Sequence, residues 1–120
     1  MILERHFATQ GWGRLALDLS EAGSYGFVVA RLTGSWFVAN LPDADHFTDA
    51  LPAGLLQAFF EHVSDQRLSC IEIGCAARRL SAAVRAPHCT FVIAAPELLE
   101  PVLPLVGQVP ADTILTRLRV

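Results

Sequence analysis

The chain has no lysine and few charged residues of any kind. Its nine basic residues are all arginines, and charged side chains make up 18% of the 120 residues. The net charge of −3 is spread without a basic stripe or an acidic tail, which argues against a nucleic-acid partner. The lack of lysine is typical of a GC-rich bacterial genome, and a hydrophobic content of 52% excludes intrinsic disorder.

Long apolar runs and a full set of paired cysteines are also missing. No stretch of about 18 apolar residues occurs, so no transmembrane helix is expected. Residues 1–6 lack the charged segment and apolar run of a secretion signal. Three cysteines are an odd number, which disfavours a closed disulfide framework and favours a reducing compartment. The sequence therefore predicts a single cytoplasmic domain over residues 1–120.

Motifs that carry common enzyme chemistry are absent from the sequence. Gly11-Trp12-Gly13 lacks the third glycine and the preceding strand of a dinucleotide-binding loop, and there is no Gly-x-Ser-x-Gly elbow. His88 and Cys89 are neighbours, but adjacent residues on a strand face opposite ways, which disfavours a catalytic pair. The sequence therefore favours a binding protein over an enzyme with its own catalytic set.

Apolar periodicity predicts a mixed fold. Period-two alternation and β-forming residues indicate strands, and spacings of three and four residues indicate helices. The predicted elements are strands at 15–19 and 25–32, an ambiguous segment at 35–41, a helix near 51–63, strands from 68 and at 89–94, a short helix from 96, and a final strand or helix at 114–120. This order predicts an α+β fold, with an antiparallel sheet of about four to five strands and helices packed on one face.

The helix near 51–63 has the clearest pattern. Its predicted apolar stripe consists of Leu51, Leu55, Leu56, Phe59, Phe60 and Val63. Thr48 or Asp49 can cap its N-terminus. Gln57 and Glu61 lie off the stripe.

The most informative stretch is a predicted hairpin that carries two of the three cysteines. Alternate side chains on a strand share a face, so one antiparallel register places every apolar residue on the same side. In that register Cys75 lies opposite Cys89, Ile73 opposite Phe91, and Ile71 opposite Ile93. The thiols of Cys75 and Cys89 would then lie side by side.

Three interpretations of this cysteine pair remain open. The first is two small buried core residues, and the second is a disulfide across the hairpin, which a reducing compartment disfavours. The third is a zinc site with Cys75 and Cys89 as thiolate ligands and Glu72 as an oxygen ligand. The zinc site requires a bulge near Gly74, because Glu72 and Cys75 point to opposite faces of a regular strand. The candidates for a fourth ligand are Asp45, His46, Asp49 and His88.

Three short motifs here resemble the end of the 4-vinyl reductase domain family. They are Glu72-x-x-Cys75-Ala76-Ala77, Cys89-x-Phe91-Val92-Ile93 and Pro96-Glu97-Leu98. Residues 53–60 are similar to the glycine-containing helix that precedes the hairpin in that family. The resemblance extends over residues 11–100.

The resemblance implies an α/β ligand-binding fold shared with transport-particle subunits. Members of the family bind small hydrophobic ligands, and some hold zinc through cysteine and glutamate side chains of this hairpin. By position, Glu72, Cys75 and Cys89 would match three such ligands. Thirteen residues separate the two cysteines, more than is usual in the family. The chain is also short for the family, so a complete pocket is expected to need a second subunit.

We therefore expect a non-catalytic binding module for a small hydrophobic ligand that works as a homo-oligomer. The alternative is a scaffold or adaptor subunit of a larger bacterial assembly that uses the same fold without a ligand. Large apolar side chains suit a ligand site or an interface. The residues expected there are Trp36, Phe37, Leu55, Phe59, Phe60 and Phe91.

Overall fold

A computed structural model describes residues 2–34, 50–74 and 89–119 of the chain. The helices are α1 (Ile2–Thr9), α2 (Ala22–Tyr25), α3 (Ala50–Ser64), α4 (Pro96–Leu99), a 3-10 helix (Glu100–Leu105) and α5 (Ala111–Leu118). The strands are β1 (Arg14–Asp18), β2 (Phe27–Thr33), β3 (Ser69–Gly74) and β4 (Cys89–Ala94). None of the helices in these ranges has the length and apolar character needed to cross a membrane. The ambiguous segment 35–41 and the expected caps Thr48 and Asp49 lie outside the described residues.

The four strands form one antiparallel sheet in the order β1-β2-β4-β3. β1 and β2 pair as a hairpin, β3 and β4 pair with each other, and β2 joins the two pairs by running alongside β4. Among the described strands, β1 and β3 therefore lie at the edges of the sheet. The antiparallel sheet with helices packed against it confirms the predicted α+β class.

Helices cover both faces of this sheet, whereas we expected them on one face. All six residues of β4 are buried. Cys89, Phe91 and Ile93 pack with α1 and α3. Val92 and Ala94 pack with α4, the 3-10 helix and α5. A strand that is apolar on both faces must be covered on both, in contrast to a strand with one solvated face.

Two apolar layers result, one on each face. The α3 layer has these fully or nearly buried members: Leu3, Phe7, Leu15, Ala30, Leu32, Leu56, Cys89, Phe91 and Ile93. The α5 layer has these: Phe27, Val29, Ile73, Val92, Ala94, Leu99, Val102, Ile114, Leu115 and Leu118. Burial of each large apolar side chain stabilises the fold by roughly 1.5–3 kcal/mol relative to exposure.

The end of α1 explains the glycine–tryptophan–glycine motif. The backbone N–H of Trp12 donates to the carbonyl of Phe7 at 3.0 Å, and that of Gly11 donates to the carbonyl of Ala8 at 3.1 Å. Gly11 has a φ of +74°. This is a Schellman motif, which glycine favours because the left-handed conformation costs it little. The rings of Trp12 and Phe7 meet edge to face at 5.4 Å, which fixes Trp12 against the α3 layer.

The C-terminal segment forms a helix, which is one of the two predicted alternatives. α5 begins after Pro110, and Asp112 lies in its first turn. Ile114, Leu115 and Leu118 are buried at helical spacing. Residues 114, 116, 118 and 120 alternate in the way that favoured a strand, but the buried residues follow the spacing of a helix.

Candidate functional site

The β3–β4 pairing differs by one residue from the predicted register. Glu72, and not Ile73, lies opposite Phe91. Ile71 and Ile73 consequently pack in the α5 layer, on the other face from Phe91. The predicted register was wrong because it assumed a single buried face. When both faces are buried, an apolar side chain is accommodated on either one, and alternation no longer specifies the pairing.

A β-bulge accompanies this shift. The register changes between Glu72 and Gly74, and Gly74 lies opposite Thr90. A Cβ atom on Gly74 would come within 3.3 Å of the Cβ of Ala111, so glycine lets α5 approach the bulge closely. The irregularity falls where the zinc interpretation required one, and the register puts Glu72 on the same face of the sheet as Cys89.

Glu72 is a buried carboxylate within the α3 layer. It is 9% exposed, and neither of its carboxylate oxygens is accessible to solvent. Its cross-strand neighbour Phe91 is fully buried. A carboxylate is seldom buried this deeply, because leaving water costs its charged form several kcal/mol unless the surroundings compensate.

Cys70 lies two residues before Glu72 on the same face of β3. Burial raises the pKa of the Cys70 thiol to about 12, and the negative charge of Glu72 adds to the rise. The thiol is therefore protonated at neutral pH, which makes Cys70 a poor nucleophile.

Two polar side chains of α3 bind the edge of β3. Oε1 of Gln57 accepts a hydrogen bond from the backbone N–H of Cys70 at 3.2 Å. Oε2 of Glu61 accepts one from the backbone N–H of Leu68 at 3.1 Å. Both residues lie off the apolar stripe, as expected, but they contact the sheet edge and are only partly exposed. The prediction that Val63 belongs to the stripe was wrong, because its side chain is 64% exposed.

Three of the six predicted ligand or interface residues come together here. Phe59 and Phe60 are partly buried against the α3 layer that contains Phe91, and their rings meet edge to face at 5.2 Å. Leu55 is partly exposed on the same helix. Two further predicted residues, Trp36 and Phe37, lie outside the described residues.

Trp12 was not among the predicted site residues, yet it packs against the same layer as Phe59 and Phe60. The signal that could have placed it is the glycine on each side. In a Schellman motif the residue after the left-handed glycine contacts the last turn of the preceding helix.

The described donors do not make a complete metal site. In residues 2–34, 50–74 and 89–119, no three or more histidine, cysteine, aspartate or glutamate side chains are grouped so that they could hold a metal ion. Glu72 and Cys89 share a face, but zinc sites use at least three protein ligands. Cys75 lies outside the described residues, as do the four candidates for a further ligand. The zinc and disulfide interpretations of the cysteine pair therefore stay predictions.

No family model, curated protein or solved structure matches the chain. The similarity to the 4-vinyl reductase domain family accordingly rests on the short hairpin and helix motifs alone.

Proposed function

We propose that this chain is a cytoplasmic, non-catalytic binding module of the 4-vinyl reductase domain type. It holds a small hydrophobic ligand at the α3 layer and works as a homo-oligomer. The observation that supports this most is the burial of the Glu72 carboxylate in an apolar layer, opposite Phe91.

The chemistry of the layer supports this proposal. Sites for small apolar ligands combine many apolar and aromatic side chains with a few polar groups that orient the ligand. Phe59, Phe60 and Trp12 contribute partly exposed aromatic surface, and Glu72 contributes a carboxylate. Buried ionisable groups concentrate at functional sites. The protonated thiol of Cys70 fits binding better than nucleophilic catalysis.

The outward side of α3 supports the oligomer. Gly54 and Ala58 are exposed one turn apart on this helix, and both are apolar. A helix that is apolar on most of its sides is normally covered on most of them. A second copy of the chain would cover this surface and help to enclose the ligand.

Binding of the neutral fluorescent probe N-phenylnaphthylamine tests the proposal. The native chain should bind it saturably, and Phe60→Ala should weaken binding about tenfold, the effect of losing roughly 1.4 kcal/mol of apolar contact. Val63→Ala removes an exposed side chain from the same helix and should leave the affinity unchanged. Absence of saturable binding, or equal losses in the two variants, would contradict the proposal.

A scaffold or adaptor subunit without a ligand is the second candidate. Exposed large apolar side chains away from α3 favour it, with Leu19 52% and Leu103 49% exposed. Surfaces of this kind mark protein contacts when they are contiguous. Sedimentation velocity separates the two candidates when combined with the probe, because an adaptor self-associates or binds a protein without taking up the probe.

A further inference from the structure

Within the part of the chain that the structure describes, the edge of β3 is closed by side chains instead of by another strand. The N–H groups of Leu68 and Cys70 donate to Glu61 and Gln57 of α3. These N–H groups therefore point away from β4. An edge strand with open N–H groups is a template for pairing with another chain. Here the side-chain oxygens of Gln57 and Glu61 accept from the N–H groups that would otherwise pair with another strand.

The spacing of the two acceptors matches the strand. Gln57 and Glu61 are four residues apart on a helix, which separates them by about 6 Å along its axis. Leu68 and Cys70 are two residues apart on an extended segment, which separates their N–H groups by roughly 6.6 Å. α3 thus presents acceptors at nearly the interval at which a neighbouring strand would present carbonyl groups.

The other edge of the sheet shows the same arrangement. The backbone N–H of Leu17 in β1 donates to Oε1 of Glu4 in α1 at 3.3 Å. A helix carboxylate again satisfies an outward N–H of an edge strand. Each edge thus has at least one backbone N–H that a helix side chain accepts from.

We propose that Gln57 and Glu61 close a latent strand-pairing surface on β3, and that its occupant, when they are removed, is β3 of a second copy of the chain. A strand edge is self-complementary under a two-fold axis when the strands run antiparallel, because donors and acceptors then exchange symmetrically. Proteins often protect edges with lysine, but this chain has none. The charged residue of β3, Glu72, is buried in the α3 layer, where its charge does not guard the edge.

The double variant Gln57→Ala/Glu61→Ala tests this role. At low concentration, amide hydrogen exchange at Leu68 and Cys70 should accelerate roughly fivefold, the effect of losing a hydrogen bond of about 1 kcal/mol. At high concentration, sedimentation velocity should show a species larger than the native assembly, and protection at both amides should return. His62→Ala, an exposed change on the same helix, should match the native chain in both measurements.

A second variant covers the case in which the double variant does not fold. Gln57→Asn keeps the amide and shortens the side chain by one methylene, so its oxygen no longer reaches the N–H of Cys70. Amide exchange at Cys70 should be faster in this variant than in the native chain. The variant should also self-associate through β3, but more weakly than the double variant. A folded Gln57→Asn variant with native exchange and native sedimentation would overturn the proposal. Self-association of His62→Ala equal to that of the Gln57→Ala/Glu61→Ala variant would also overturn the proposal. The homo-oligomer proposed above is present in the native chain, so it is distinguished from the larger species that these variants form.

Discussion

Glu72 lies directly opposite Phe91 across the β3–β4 pair. A carboxylate and an aromatic ring thus share the face of the sheet that α3 covers, and both are buried. This pairing is the basis of the proposed ligand site, because it puts a polar group inside an otherwise apolar layer.

Glu72→Gln should weaken binding of the probe N-phenylnaphthylamine while it changes the shape of the side chain little. The substitution removes the charge and keeps the side-chain length, so the N–H of N-phenylnaphthylamine loses a charged acceptor. Hydrogen bonds to charged groups contribute about 1.5–3 kcal/mol, which predicts a loss of tenfold or more in affinity. Fluorescence titration measures it, with Glu97→Gln as the control because Glu97 is exposed in α4. Equal affinity in the two variants would show that Glu72 takes no part in binding.

Leu56→Ala and Val63→Ala should differ strongly in stability. Leu56 is fully buried in the α3 layer, and its truncation should cost about 2–5 kcal/mol. Val63 is 64% exposed, and its truncation should stay within about 0.5 kcal/mol. Urea unfolding measures both free energies. Comparable losses in the free energy of unfolding would mean that Val63 is buried in the apolar stripe, as periodicity alone predicts.

Gly13→Ala should destabilise the chain more than Gly11→Ala. Gly13 has a φ of +132°, and a Cβ there would come within 3.0 Å of both Cδ1 of Leu32 and the carbonyl oxygen of Thr33. The same atom on Gly11, whose φ is +74°, meets nothing within 4 Å. We expect a loss of about 1 kcal/mol at Gly11 and about 3 kcal/mol at Gly13 in urea unfolding. A Gly11 loss equal to the Gly13 loss would contradict the close packing of this turn.

Cys70 should make the fold less stable at alkaline pH. Its thiol pKa rises from 9.0 to about 12 on folding, so the folded state holds the proton more tightly than the unfolded state. The contribution to stability is complete below pH 9 and is lost as the pH rises toward 12. Unfolding free energies measured from pH 8 to about 11 should fall more steeply for the native chain than for Cys70→Ala. Parallel slopes would mean that the thiol is not buried as described.

Local patterns predicted most of the elements of the fold. The helix near 51–63 and the strand at 89–94 correspond to α3 and β4 because their apolar residues recur at unambiguous spacings. The register of β3 on β4 was not predictable in this way. The register depends on which face of the sheet Ile71 and Ile73 lie on. That face is set by packing against α5, which lies far away in the sequence.

The candidate site was predictable only in part. Phe59, Phe60 and Phe91 were predicted because they are large aromatic residues in predicted elements, and they lie together in the α3 layer. The roles of Gln57 and Glu61 arise from docking of a helix onto a strand edge, and no local pattern of residues encodes that contact. Sequence periodicity alone therefore finds the apolar half of the site and misses the polar contacts that position it.

Native mass spectrometry of the freshly purified chain tests the binding-module proposal most directly. We expect a folded assembly of more than one subunit that carries an apolar small molecule. The Phe60→Ala variant should lose this added mass, and Val63→Ala should retain it. A folded native chain that carries no small molecule and remains monomeric at high concentration would contradict the account.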